Sequence, residues 1–115
     1  MTKYIPKKGD IVWIDFNTQA GTEILKRRPA LVVSSSDYNK GSQFVIVCPI
    51  TSTRKGYPFE IAITVKGKDG AILVDQIKSF DCVARDINFI EKCSEKTLVQ
   101  TKKIIALILD LHKII

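Results

Sequence analysis

The sequence is poor in the residues that build metal sites, disulfide scaffolds and catalytic triads. It contains a single histidine, His112, and only three cysteines, Cys48, Cys82 and Cys93. An odd number of cysteines without close spacing argues against a disulfide scaffold and against a zinc site. A Ser-His-Asp triad would depend on that one histidine, and there is no nucleophile-elbow motif or phosphate-binding glycine motif. We therefore expect three reduced thiols, no bound metal ion and no cofactor.

Long hydrophobic segments are also missing. The longest apolar run, residues 104–109, is far too short to cross a lipid bilayer, and the first residues lack the apolar core of a signal peptide. We expect a soluble, cytosolic protein that does not attach to membranes. A length of 115 residues fits one domain, residues 1–115, and a hydrophobic share of 45% is enough for a real core.

Positive charge is the main compositional bias of the chain. Lys and Arg total 18 against 12 Asp and Glu, which gives a formal net charge of +6. The sequence pI is about 9.3. Such a balance favours an anionic partner, whether nucleic acid, an acidic protein or a membrane surface, and does not choose among them.

Short β-branched and aromatic segments separated by turn residues predict a mainly β fold. The predicted strands cover residues 11–16, 29–33, 44–48, 60–65, 71–74 and 78–84, with Pro49 ending the third. Residues 17–26, 34–42 and 52–58 are predicted as loops or turns, and residues 66–70 as a hairpin turn. Ser94 is the expected cap of a helix from Glu95 to about His112. The pattern predicts a small, strongly curved antiparallel sheet or barrel with a C-terminal helix.

This helix is apolar around more than one stripe. Leu98, Ile105 and Ile108 share one side, and a neighbouring side carries further apolar residues, namely Ile104, Leu107, Leu111 and Ile114 or Ile115. One stripe is enough to cover the sheet. The rest either forms a single wide core face or needs a partner such as a second copy of the chain, and the sequence leaves both interpretations open.

Cationic and hydroxyl residues collect at the ends of the predicted strands. Arg27 and Arg28 precede one strand, residues 51–55 follow the next, and residues 76–79 follow a third. If the strands pair in order, these segments meet at one rim and supply the donors and positive charge that bind phosphate. The residues alone indicate a basic groove, and a solvated basic surface without a ligand explains them about as well.

The chain resembles the MazF/PemK family of toxin–antitoxin ribonucleases over nearly all of its length. The matching motifs, in family order and spacing, are GDIVWIDF at residues 9–16, RPALVV at 28–33, PIT at 49–51, KGYPFE at 55–60 and DQIKS at 75–79. The resemblance implies an SH3-like barrel that acts as a homodimer. It also implies sequence-specific cleavage of single-stranded RNA, mostly mRNA, and neutralisation by an acidic antitoxin whose disordered tail covers the active site.

The same resemblance assigns the site. Arg28 matches the arginine of the family's Arg-Pro motif, Thr51 its catalytic threonine and Glu23 its loop glutamate. The positions predicted to bind RNA are Lys55, Gln76, Lys78 and Arg85, together with the adjoining Arg27 and Ser79. Some relatives carry histidine where this chain has Arg27, so any proton transfer by that histidine is absent here or is performed elsewhere.

The chemistry that fits these residues is attack by the 2′-OH of the RNA on the neighbouring phosphorus. The substrate then supplies the nucleophile, and the products are a 2′,3′-cyclic phosphate and a 5′-OH. Arg28 is expected to stabilise the charge on the phosphoryl oxygens, and Thr51 to donate a hydrogen bond to the same centre. Arginine is a poor base, so Glu23 is the candidate for general base.

Two other classes of function remain possible at this stage. A non-catalytic RNA-binding barrel would need exposed aromatic platforms, for which Tyr57 and Phe59 are candidates, yet aromatics form only 8% of the chain. A gyrase-poisoning toxin on the same fold would need an aromatic wedge near its C-terminus. This chain ends in residues 112–115, HKII, and its only tryptophan is Trp13.

Overall fold

The computed structural model describes residues 3–16 and 27–111, which form a curled antiparallel sheet and two helices. The strands are β1 (Asp10–Asp15), β2 (Arg27–Val32), β3 (Phe44–Thr51), β4 (Glu60–Val65), β5 (Lys68–Leu73), β6 (Lys78–Asp81) and β7 (Asn88–Lys92). The helices are α1 (Ser36–Ser42) and α2 (Glu95–Leu109), and Val74–Gln76 forms a single 3-10 turn. The prediction of a mainly β, SH3-like barrel with a C-terminal helix is confirmed.

The strands lie in the order β4-β5-β3-β2-β1-β7 and every pairing is antiparallel. β3 is the central strand: β2 pairs along one edge, and β6 and then β5 share the other. Because side chains alternate along each strand, the sheet has two apolar faces. One face is a cluster that includes Ile14, Val32 and Val47, and the other a cluster that includes Ile11, Leu31 and Ile72.

The prediction that Pro49 ends the third strand is wrong, because β3 continues to Thr51. The Val33 amide donates to the Ile46 carbonyl, and hydrogen-bonded pairs alternate along an antiparallel ladder. The Ala30–Pro49 pair is therefore not hydrogen-bonded, and the missing N–H of Pro49 faces away from β2. On the edge of β3 opposite β2, the β6 pairing stops at Val47 and the β5 pairing begins at Ile50. Pro49 lies between these two pairings, so its missing N–H removes no ladder hydrogen bond.

The prediction of a turn over residues 34–42 is also wrong, because Ser36–Ser42 is helical. The Ser35 hydroxyl caps α1 by accepting from the Tyr38 amide. The buried Asn39 side chain donates to the Pro6 carbonyl at 2.7 Å and accepts from the Ser34 hydroxyl. These tertiary hydrogen bonds stabilise a helix whose composition is typical of turns.

Several boundaries differ from the predicted ones. β2 begins at Arg27, so both arginines lie within the strand, and β5 begins at Lys68, which leaves Lys66-Gly67 as the hairpin turn. β6 ends at Asp81, because its carboxylate accepts from the backbone amides of Val83 and Ala84 and turns the chain. The sequence analysis missed β7, which pairs with β1.

Helix α2 begins as predicted, with the Ser94 hydroxyl accepting from the Thr97 amide. It ends at Leu109, and Asp110 takes the left-handed conformation after it. Ile104 and Ile105 pack against the second core cluster, whereas apolar side chains in and just after the last turn are exposed, namely Leu107, Ile108, Leu109 and Leu111. Most of the exposed apolar surface of α2 therefore lies at its C-terminal end, and Val99 near its beginning is also exposed. Within the described residues, no helix is long and apolar enough to cross a membrane.

Candidate active site

The pairing of β2 with β3 brings Arg28 and Thr51 together. The ladder pairs Leu31 with Cys48 and Ala30 with Pro49, and the same register continued to the strand ends places Arg28 opposite Thr51. Arg28 is exposed and Thr51 is half-buried. A guanidinium and a hydroxyl therefore lie at the same end of two adjacent strands.

Both residues line a cavity of about 530 Å³. Four cationic residues surround it, Arg27, Arg28, Lys66 and Lys68, and none of the described residues that line it is acidic. Its remaining described lining is hydroxylic or apolar: Thr51, Ser52, Thr53, Trp13, Pro29, Ile50 and Val65. A positively charged lining without a carboxylate of its own, beside an apolar wall, is the chemistry that binds a nucleotide's phosphate and base together.

The hydroxyl of Thr51 is oriented by its own loop. The Thr53 amide donates to Thr51 Oγ1 at 3.2 Å, so one lone pair of that oxygen is occupied. A hydroxyl that accepts from the backbone keeps its own proton for another acceptor. Thr51 can therefore donate a hydrogen bond to an oxygen placed in the cavity.

Arg27, predicted to bind RNA, lines the cavity but is held by neighbours. Its guanidinium forms an ion pair with Asp86 at 3.0 Å and donates to the Asn88 side chain and to the Trp13 carbonyl. Because side chains alternate along β2, Arg28 lies on the opposite face of the strand. The two arginines are thus not equivalent, since the charge of Arg27 is partly compensated by Asp86.

The loop after β3 carries Lys55, which does not line the cavity. The Glu60 carboxylate accepts from the Lys55 amide at 3.0 Å and from the Gly56 amide at 2.8 Å. Gly56 has a φ of 74°, a left-handed conformation in which glycine is favoured. Glu60 therefore fixes the backbone that presents the exposed Lys55 side chain beside the cavity-lining Ser52 and Thr53.

Gln76, Lys78 and Ser79 lie further along the other edge of β3. Gln76 ends the 3-10 turn, and Lys78 and Ser79 pair in β6 with Val47 and Ile46. All three are exposed, and none is among the described residues that line the cavity. Four residues of extended strand, about 13 Å, separate Val47 from Thr51.

Arg85 makes contacts that sequence reasoning did not foresee. Its guanidinium lies 4.9 Å from the centre of the Phe80 ring and donates to the Asp15 carbonyl at 2.6 Å. Arg85 therefore links the segment after β6 to the end of β1. It is not among the described residues that line the cavity.

Glu23 and His112 lie outside the described residues. Within residues 3–16 and 27–111 there is no group of three or more His, Cys, Asp or Glu residues that could hold a metal ion. The three cysteines are free, and burial raises the pKa of the Cys48 thiol to about 12. A thiol with so high a pKa is a poor nucleophile near neutral pH.

Sequence reasoning missed the contribution of Lys66, Lys68 and Trp13 to the cavity. The two lysines flank Gly67 in the β4–β5 hairpin, whose Lys66 amide donates to Glu91 of β7 across the curled sheet at 3.2 Å. This curvature brings the hairpin end to the entrance of β2. The only sequence signal was the charge of the turn, which resembles that of any solvated hairpin.

Comparisons with known proteins show which family the sequence and the fold resemble. The sequence model of the family described as the PemK-like, MazF-like toxin of type II toxin–antitoxin systems matches residues 7–109. The endoribonuclease toxin MazF of Escherichia coli K12 is 39% identical over 85 residues, which cover 74% of this chain and 77% of that protein. A crystal structure of MazF from Deinococcus radiodurans has a TM-score of 0.82 at 35% identity and covers 94% of this chain and 99% of that one. A MazE–MazF crystal structure from the same organism has a TM-score of 0.86 at 35% identity, with coverages of 94% and 98%.

Proposed function

The chain belongs to the PemK-like, MazF-like toxins of type II toxin–antitoxin systems and is an endoribonuclease, and we propose that it cuts single-stranded mRNA at a specific sequence without a metal ion. Cleavage of mRNA would stop translation and growth. The observation that carries the proposal is that Arg28 and Thr51 line one cationic cavity whose described lining has no carboxylate. We place the reaction in the cytosol and assign it to one toxin domain, residues 1–115.

The proposed reaction is an in-line attack by the RNA's 2′-OH on the adjacent phosphorus. The new bond closes a 2′,3′-cyclic phosphate, and the bond to the leaving 5′ oxygen breaks and releases a 5′-OH. Arg28 binds two phosphoryl oxygens and stabilises the charge that accumulates on them, while Thr51 donates to the same centre. Both groups sit on strands, so they need little reorganisation when the charge develops.

A base must accept the proton of the 2′-OH. The described lining of the cavity offers no carboxylate and no histidine. We assign this role to Glu23, and the reason is the family resemblance of the loop that carries it. An arginine stays protonated and cannot take this role.

RNA binding is proposed to extend along the edges of the sheet from the cavity. Lys66 and Lys68 join the positions assigned from the sequence, namely Arg27, Lys55, Gln76, Lys78, Ser79 and Arg85. Trp13 is 40% exposed and lines the cavity, so its indole is available for a base to stack on. Because Arg28 and Trp13 lie on opposite faces of the sheet, a bound strand must bend around the ends of β2 and β3.

We propose that the protein is a homodimer. Leu107 is 62% exposed and Leu109 56%, and Ile108 and Leu111 are also exposed. Several exposed apolar side chains at the end of one helix are costly in water, and a symmetric interface between two copies removes part of that cost.

We also propose that an acidic antitoxin inhibits the protein by covering the RNA site. The MazE–MazF complex of Deinococcus radiodurans shows that a similar toxin assembles with MazE. In this chain, Arg28, Lys66 and Lys68 line the cavity together and offer a surface for the carboxylates of a disordered tail. RNA and antitoxin should therefore compete.

Incubation of a long RNA transcript with the purified protein in excess EDTA tests the proposal. Discrete fragments with one recurring cut sequence are the expected result. A mobility shift without cutting would indicate the non-catalytic RNA-binding barrel instead. Loss of cutting in EDTA that Mg²⁺ or Mn²⁺ restores would contradict the metal-independent mechanism.

A further inference from the structure

Gly70 of β5 lies directly against the backbone of Thr51. The two strands pair Ile50 with Ile72 and Thr51 with Ala71, and β3 ends at Thr51. A Cβ built on Gly70 would fall less than 3.0 Å from the Thr51 carbonyl oxygen, closer than real Cβ atoms come to such an atom. It would also lie 3.4 Å from the Thr51 carbonyl carbon. The space that a side chain would need is therefore occupied by the Thr51 peptide group.

Conformational freedom does not explain a glycine at this position. The glycines with positive φ are Gly9, Gly56 and Gly67 among the described residues, and Gly70 is not one of them. Gly70 sits in regular strand geometry, paired with Ile63 of β4, and it is buried. Any residue can adopt that backbone, so close approach is the remaining reason for glycine.

Two contacts then fix Thr51 from opposite ends of the residue. The carbonyl fits against the bare Cα of Gly70, and the hydroxyl accepts from the Thr53 amide at 3.2 Å. From these contacts we infer that Gly70 is a positioning residue for Thr51, holding the peptide group so that the hydroxyl faces the cavity it shares with Arg28. The inference rests on the proposed role of Thr51 in RNA cleavage.

A methyl group on Gly70 forces the Thr51 backbone to move, because the clashing atom belongs to the backbone and has no rotamer through which to escape. A shift of the order of an ångström at a reacting group costs between about tenfold and a hundredfold in rate. Gly70→Ala should therefore lower kcat by that factor and leave KM within about twofold, because the cationic lining is unchanged. The substrate is a labelled oligoribonucleotide that carries the cut sequence mapped on the long transcript.

Gly41→Ala is the matched control, because a Cβ at Gly41 in α1 meets nothing within 4 Å. It should keep wild-type kcat.

The double variant that combines Gly70→Ala with Thr51→Ala separates positioning from general damage to the fold. If Gly70 acts through Thr51, adding Gly70→Ala to Thr51→Ala changes kcat by less than about twofold. An equal fold-loss in both backgrounds, or an unchanged kcat in the single variant, would overturn the inference.

A second pair of variants keeps the test valid if circular dichroism shows that Gly70→Ala does not fold. Thr53→Pro removes the amide that orients the Thr51 hydroxyl, in an exposed loop, and Thr53→Ala keeps that amide. Thr53→Pro should lower kcat about tenfold more than Thr53→Ala. Equal kcat values would show that the rate does not depend on how the Thr51 hydroxyl is held, and this would overturn the inference. If Thr51→Ala keeps wild-type kcat, both the inference and the assigned site are wrong. If Thr51→Ala lowers kcat and Gly70→Ala does not, the inference is wrong and the proposed function stands.

Discussion

At the scale of single residues, the arginines 27 and 28 show how neighbours in sequence acquire different roles. Both were predicted from the sequence as members of a phosphate-binding surface. The structure pairs Arg27 with Asp86 and leaves Arg28 exposed beside Thr51. The sequence predicted the residue types at positions 27 and 28. It did not predict the pairing of Arg27 with Asp86, because Asp86 lies 59 positions away along the chain, just before the unpredicted strand β7.

Replacement of Arg28 tests this difference. Arg28→Ala should lower the cleavage rate at least about a hundredfold, because one preorganised charge-stabilising donor contributes about 3 kcal/mol to a barrier. The fold should survive, since the side chain is exposed. Single-turnover cleavage of the mapped oligoribonucleotide measures the effect. Arg27→Ala is the control and should lose less activity, because Asp86 already partly neutralises that side chain; an equal loss would show that the two arginines are not distinguished.

Burial of the Cys48 thiol makes the stability of the folded protein depend on pH. The side chain is fully buried, and burial raises its pKa from the ordinary 9.0 to about 12. Above pH 9 the unfolded thiol ionises while the folded one stays protonated. The stabilisation is complete below pH 9 and is lost as the pH rises toward 12.

The loss attributable to Cys48 between pH 8 and pH 10 is about 1.4 kcal/mol, the energy of one pH unit. Cys48→Ala should remove that part of the alkaline decline in the free energy of unfolding, measured by urea denaturation at each pH. The variant's lower stability at neutral pH is a constant offset. Identical pH slopes in the wild type and the variant would show that this thiol titrates alike in both states.

At the scale of elements, short β-branched, aromatic and apolar segments bounded by turn residues predicted most strands, because such side chains pack well in a sheet. It failed where tertiary contacts override local composition. Helix α1 consists of residues typical of turns and is anchored by Asn39 bonding to the Pro6 carbonyl. The cavity could not be foreseen in full either, because it depends on the curl that brings Lys66 and Lys68 to β2. The catalytic and RNA-binding roles of all the residues assigned from the sequence stay predictions, namely Glu23, Arg27, Arg28, Thr51, Lys55, Gln76, Lys78, Ser79 and Arg85.

The loop after β3 offers an element-scale test through Glu60. Its carboxylate accepts from the Lys55 and Gly56 amides, and both hydrogen bonds are lost in Glu60→Ala. A loop freed in this way must be reordered when RNA binds, so KM should rise about fivefold to tenfold with little change in kcat. Steady-state kinetics on the mapped oligoribonucleotide measure both parameters. Asp37→Ala is the control, because that exposed carboxylate lies in α1, away from every residue assigned to RNA binding; a matching rise in KM there would argue against a role specific to the loop.

At the scale of the whole molecule, the exposed end of α2 predicts self-association. The wild-type protein should sediment at about twice its 12.9 kDa chain mass at micromolar concentration. Leu107→Glu places a charge in the apolar surface and should shift the protein to monomer. Val83→Glu is the matched control, because Val83 is 60% exposed and lies outside α2, in the segment between β6 and β7. A monomeric wild type, or a dimer unaffected by Leu107→Glu, would place the interface elsewhere.

The central claim is that the RNA itself supplies the nucleophile at the Arg28–Thr51 site. The most direct measurement is mass spectrometry of the fragment ends after cleavage in EDTA, on the mapped oligoribonucleotide and on a copy with a single 2′-deoxy substitution at the cut nucleotide. We expect 2′,3′-cyclic phosphate and 5′-OH ends from the first substrate and no cleavage of the second. Ends carrying a 3′-OH and a 5′-phosphate, or cleavage that persists in the 2′-deoxy substrate, would contradict it.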